Sequence, residues 1–134
     1  SGAFRGRDKV HDHLVSMIKR AKKSITLMTS KEGADRKYDV LSNHLKRASK
    51  TGVDVRIAVP SSVSKETVAQ YGTFSVLKQF KSTNARFCMI DGKEVLVCLT
   101  DDKKVHKSYD CAVWLDAPYF VDYFDKLFQN EWSK

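Results

Sequence analysis

Apolar side chains recur between residues 7 and 23 as Val10, Leu14, Met17, Ile18 and Ala21, the spacing of one buried helical stripe. A short apolar run, 24–29, follows and reads as a strand, then a polar loop over 30–36. A second helix is expected over 36–50, with Tyr38, Leu41, Leu45 and Ala48 on one face. Thr51-Gly52 closes it, glycine readily taking the left-handed conformation in which helices stop. Val53, Val55, Ile57 and Val59 then alternate with Asp54, Arg56 and Ala58, the pattern of a half-buried strand that ends at Pro60. Ser64 is placed to cap a short helix running to Tyr71 and stopping at Gly72. A strand is expected over 74–80. Two more, 85–90 and 94–99, flank Asp91-Gly92, a strong hairpin signal. A polar loop over 100–104 leads to a strand over 110–115. Asp116 is expected to cap a last helix, with Pro118 in its first turn and an aromatic stripe of Phe120, Phe124, Leu127, Phe128 and Trp132.

Helices alternating with strands early in the chain imply parallel pairing with helices packed outside, and the hairpin adds antiparallel strands. The expected fold is α/β: a mixed, mostly parallel sheet flanked by helices on both faces. The pattern continues without a linker or internal repeat, so 4–134 reads as one domain. Residues 1–3, Ser-Gly-Ala, read as a remnant of protease cleavage, the natural chain then starting upstream.

Composition narrows the class. Hydrophobic residues make up 42% and charged residues 30% of 134, which is incompatible with global disorder. No apolar run approaches the roughly 20 residues that span a bilayer, and no signal peptide is visible. Cys88, Cys98 and Cys111 stand singly inside apolar runs, without the spacing of a zinc site or a disulfide framework, which favours the cytoplasm. No metal or other cofactor is expected. The net charge of +8 attracts polyanions, so direct nucleic-acid binding is one reading. The basic residues, however, are dispersed: Lys19, Arg20, Lys22 and Lys23; Lys46, Arg47 and Lys50; Lys103, Lys104 and Lys107. The first two groups fall at predicted helix C-termini, where cations complement the helix dipole, and a solvated surface is the favoured reading.

Candidate chemistry centres on Asn84-x-Arg86-x4-Asp91-Gly92. This segment resembles the H-x-K-x4-D signature of the phospholipase D superfamily, and alternation on a strand would point residues 84 and 86 to one face. The resemblance implies a nucleophilic histidine, a phosphate-neutralising lysine and an orienting aspartate. Here Asn84 stands in place of the histidine, and a carboxamide cannot attack phosphorus or shuttle a proton near neutral pH. Arg86 can still hold an anion but does not titrate as a general acid. The superfamily's downstream Gly-Ser step corresponds to Cys98-Leu99.

A longer series runs from Ala85-Arg86-Phe87 through Asp91-Gly92-Lys93-Glu94, then His106, Tyr109-Asp110, Trp114, Phe120, Leu127-Phe128 and Trp132. Over residues 4–134 it resembles the C-terminal regulatory domain of the TrmB family of archaeal transcription regulators, a degenerate phospholipase D-like fold. The resemblance implies a non-catalytic domain that forms a homodimer, senses a small-molecule effector in some members, and adjoins an upstream helix-turn-helix that binds DNA. No helix-turn-helix pattern occurs here. The chain also stops at Lys134 without the segment that supplies sugar contacts in sugar-responsive members. The alternative is a phosphodiesterase or nuclease of the same superfamily, for which the nucleophile is missing.

The candidate ligand site is therefore Asn84, Arg86, Asp91 and His106. For Asp91 the hairpin turn alone is a sufficient explanation. His11, His13 and His44 read as surface residues on helices, whereas His106 falls beside a strand edge near the degenerate motif. Trp114, Phe120, Phe124 and Trp132 have the spacing of buried faces and are expected in the core.

Overall fold

The computed structural model describes residues 1–81, 85–101 and 106–134. Its elements are β1 (Gly2–Arg5), α1 (Arg7–Arg20), β2 (Ser24–Met28), α2 (Lys31–Lys50), β3 (Asp54–Pro60), α3 (Lys65–Gly72) and β4 (Val76–Phe80). They continue with β5 (Phe87–Ile90), β6 (Glu94–Cys98), a short 3-10 turn at Lys107–Tyr109, β7 (Cys111–Leu115) and α4 (Pro118–Trp132).

The strands form one sheet in the order β1-β7-β6-β5-β2-β3-β4. Strand alternation sends Ile25, Leu27, Val55, Ile57, Val59, Cys88 and Ile90 to one side, where Leu14, Met17, Ile18, Leu41, Leu45 and Tyr71 cover them. Met28, Ala58, Phe87, Met89 and Val95 face the other side, under Val121, Phe128 and Trp132 of α4. Helices thus cover both faces, as expected.

The expectation of a mostly parallel sheet is corrected. Only β2–β3 and β3–β4 are parallel, while β1–β7, β2–β5, β5–β6 and β6–β7 are antiparallel. A parallel pair needs a crossover, and only α2 and α3 supply one; the tight Asp91-Gly92 turn dictates an antiparallel hairpin. Asp91 itself takes a positive φ of 56°.

Three further differences have local causes. Residues 2–5, given no element from sequence, pair with β7 as an edge strand. The loop expected over 30–36 is instead the first turns of α2, because Ser30 accepts from the Gly33 N–H (2.9 Å) and caps the helix. Asp116 does not cap α4: Ala117 occupies that place without a side-chain bond, and the Asp116 N–H donates to Ser1 Oγ (3.1 Å).

Candidate functional site

Arg86 immediately precedes β5 and is only 4% exposed. One of its Nη groups donates to Asp110 Oδ1 (3.2 Å) and to the Thr100 carbonyl (2.6 Å). Asp110, 3% exposed, lies between the 3-10 turn and β7 and also accepts from Thr100 Oγ1 (2.9 Å) and Arg7 Nε (2.9 Å). One carboxylate therefore joins the start of α1, the end of β6 and the entry to β5. Burial alone would raise the Asp110 pKa. The hydrogen bonds from Thr100 and Arg7 and the charge of Arg86 outweigh it, and the carboxyl titrates below its ordinary range.

A second buried cation stands nearby. Lys37, 2% exposed, reaches from α2 to Thr29 Oγ1 (2.9 Å) just past the end of β2. Gly33 leaves room for this contact. A Cβ on it would lie 2.2 Å from Thr29 Oγ1 and 3.0 Å from Lys37 Nζ. Lys37 and Arg86 share the lining of a void of only about 10 Å³. That is the threshold for one water and far too small for a phosphate. His11, on α1, has its pKa pushed down to about 4, first by burial and then by the charges of Lys37, Arg36 and Arg7.

Of the expected residues that are described, Arg86 and Asp91 stand at opposite ends of β5. Asn84 lies outside the described residues. Arg86 sits in the buried cluster. Asp91 lies beyond the far end of β5, five residues from Arg86 and so roughly 16 Å away along an extended strand. Its carboxylate accepts from the backbone N–H groups of Lys22 (3.1 Å), Lys23 (2.7 Å) and Ser24 (2.9 Å). Burial works upward on the Asp91 pKa, yet these three bonds hold it below the ordinary value. Its role here is to pin the α1–β2 loop against the hairpin. His106 is exposed, its Nδ1 paired with Ser108 Oγ (2.8 Å) at the start of the 3-10 turn.

Sequence reasoning missed Lys37, Thr29, Thr100, Arg7 and Asp110. Lys37 stands four residues before Leu41, on the buried face of α2, so a lysine on a core stripe was the available signal. His13 also departs from the surface reading. It stacks on Phe4 (4.4 Å between centroids) and meets the edge of Trp114 (4.8 Å), and its buried Nε2 has no hydrogen-bond partner among the described residues. Phe120 is 47% exposed, not core, whereas Trp132 is buried as expected. Cys88 is buried, and burial pushes its thiol up to about 12. Among the described residues no helix is long and apolar enough to cross a membrane, and no group of three His, Cys, Asp or Glu side chains is placed to hold a metal.

A sequence model described as "Cardiolipin synthase, PLD-like domain" matches residues 14–132, nearly the whole chain. The chain belongs to the phospholipase D-like domain family. No curated protein sequence matches it. Solved structures share the domain's fold at low identity. TrmBL2, an archaeal chromatin protein described for a novel mode of DNA binding, superposes with a TM-score of 0.73 at 19% identity, over 98% of this domain and 52% of that chain. The domain thus spans about half the length of TrmBL2. NucT from Helicobacter pylori gives 0.73 at 14% identity, over 96% of this domain and 92% of that protein. The phosphatidylserine synthase of Haemophilus influenzae Rd KW20 gives 0.64 at 9% identity, over 96% and 36%.

Proposed function

We propose that this phospholipase D-like domain is a non-catalytic regulatory module that pairs with a second copy, responds to a small-molecule effector and serves a DNA-binding region beside it in a cytoplasmic transcription regulator. The reading rests on Arg86. The cation at the position of the superfamily's phosphate-binding lysine is held by Asp110, with its side chain 3% exposed. Opening that pair for a phosphate would leave Asp110 to Arg7 and Thr100 and strip Arg86 of a bond made in a low-dielectric interior, a cost of several kcal/mol. Asn84, two residues earlier, supplies no nucleophile. The fold likeness to TrmBL2 supports the DNA-binding context, and its matched portion leaves about half of that chain for other work.

Superfamily sites form where two copies of the motif face each other, and this chain carries one copy. The proposed dimer brings the Arg86–Asp110 edges of two protomers together, with His106 on the rim of the shared cleft. Sedimentation equilibrium on the purified domain tests this. A dimer at tens of micromolar is expected, and a strict monomer at the highest soluble concentration overturns it.

A further inference from the structure

The first two basic groups, 19–23 and 46–50, lie apart in the sequence but meet at one pole of the fold. Because β2 and β3 are parallel, α1 and α2 end at the same edge of the sheet, opposite the edge that carries Thr29, Lys37 and Arg86. Asp54, which opens β3, donates its N–H to the Lys23 carbonyl (3.0 Å) and ties the two loops together. A cleft of about 440 Å³ runs between the helix ends and is lined by Lys19, His44, Arg47 and Thr51 among others. Lys19, Lys22, Lys23, Arg47 and Lys50 are all exposed. Among the described residues none of these five is in an ion pair; Arg20 is the neighbour that is, with Glu94. Segments 13–31 and 40–53 contain no carboxylate at all.

The dipoles of two helices do not account for this much charge. Each C-terminus carries about half a negative charge, so together they offset about one of the five cations. The loop is also held in place: the three backbone bonds to Asp91 fix residues 22–24 and leave the Lys22 and Lys23 side chains projecting outward. His44 feels the same field, its pKa lowered by burial first and then by Lys19 and Arg47.

We propose that this pole binds the phosphodiester backbone of duplex nucleic acid without reading bases. A membrane surface fits less well. Interfacial binding needs apolar side chains to insert beside the lysines. None of the exposed large apolar residues falls within 13–25 or 43–54. The proposal does not depend on the dimer or on the absence of catalysis.

The test is fluorescence anisotropy of a labelled mixed-sequence duplex with the whole chain at varied salt. Five phosphate contacts give a slope of log affinity against log salt of about −4 to −5, and fewer give proportionally less. Lys19→Glu with Arg47→Glu should weaken binding at least about tenfold near 50 mM salt and flatten the slope by about 2. Lys126→Glu with Lys134→Glu, two cations already paired on and just beyond α4, should leave both unchanged. If the first pair fails to fold by circular dichroism, Lys22→Gln with Lys23→Gln carries the same expectation. Absence of binding near 20 mM salt, an unchanged slope in the pole variants, or equal loss in the control pair would overturn the proposal. So would equally tight binding to phosphatidylserine vesicles.

Discussion

Replacing Asp110 by asparagine removes a single charge from the centre of the Arg86 cluster and leaves the shape nearly unchanged. In the folded domain Arg86 would then be a buried cation facing an amide. Arg7, whose side chain is 16% exposed, can turn toward water, whereas Arg86 at 3% cannot. Removing one partner of such a buried pair costs about 3–5 kcal/mol, a large part of the roughly 5–15 kcal/mol that holds a domain together. For a chain of this length that corresponds to a fall in Tm of about 10–20 °C. The effect has a definite pH sign. The folded Asp110 pKa lies below its unfolded value, so its contribution is complete above about pH 4 and is lost as pH falls through the folded value. Wild type and Asp110→Asn should therefore differ most near pH 7 and converge as the pH falls through the folded value. Urea unfolding across that range reads both the size and the window. Arg86→Met combined with Asp110→Leu should be less destabilised than Asp110→Leu alone, because no buried charge is then stranded. A loss under about 1 kcal/mol for Asp110→Asn at pH 7, or a gap that widens on acidification, would refute the reasoning.

Gly33→Ala should destabilise by about 1–3 kcal/mol despite alanine's better helix propensity, since the new methyl would meet Thr29 Oγ1 and Lys37 Nζ; thermal melting checks it. His11→Gln should make the loss of stability between about pH 6.5 and 4 shallower. The folded imidazole has a pKa near 4, so its contribution is present above the unfolded value and disappears as pH falls through that window. Asp91→Ala should cost about 2–3 kcal/mol by leaving three backbone N–H groups without their acceptor. Amide exchange in that variant should accelerate at Lys22 to Ser24 and stay unchanged around Arg86.

Much of this arrangement is written in local patterns. The stripe of Val10, Leu14, Met17 and Ile18 fixes α1 and its buried face, and the alternation from Val53 to Val59 fixes β3. Asp91-Gly92 fixes the hairpin. Strand direction was less legible, because it depends on how many helices connect adjacent strands and not on any strand's own residues. The start of α2 was hidden by Gly33, which looks like a loop residue but is required by the close approach of Thr29 and Lys37. The site was half visible. The motif spacing located Arg86, but Asp110, the residue that closes it, lies 24 positions away and becomes a partner only through the β5-β6-β7 order. Motif spacing groups Asp91 with Arg86, whereas an extended strand separates residues five apart by the width of several side chains.

The most direct test of the central claim is turnover of bis-p-nitrophenyl phosphate and of duplex DNA by the purified domain, run beside Asn84→Ala. With Arg86 committed to Asp110 and a carboxamide where an attacking imidazole would stand, release should match the buffer rate for both proteins. Turnover above that rate that disappears in Asn84→Ala would contradict the account and make the domain an enzyme.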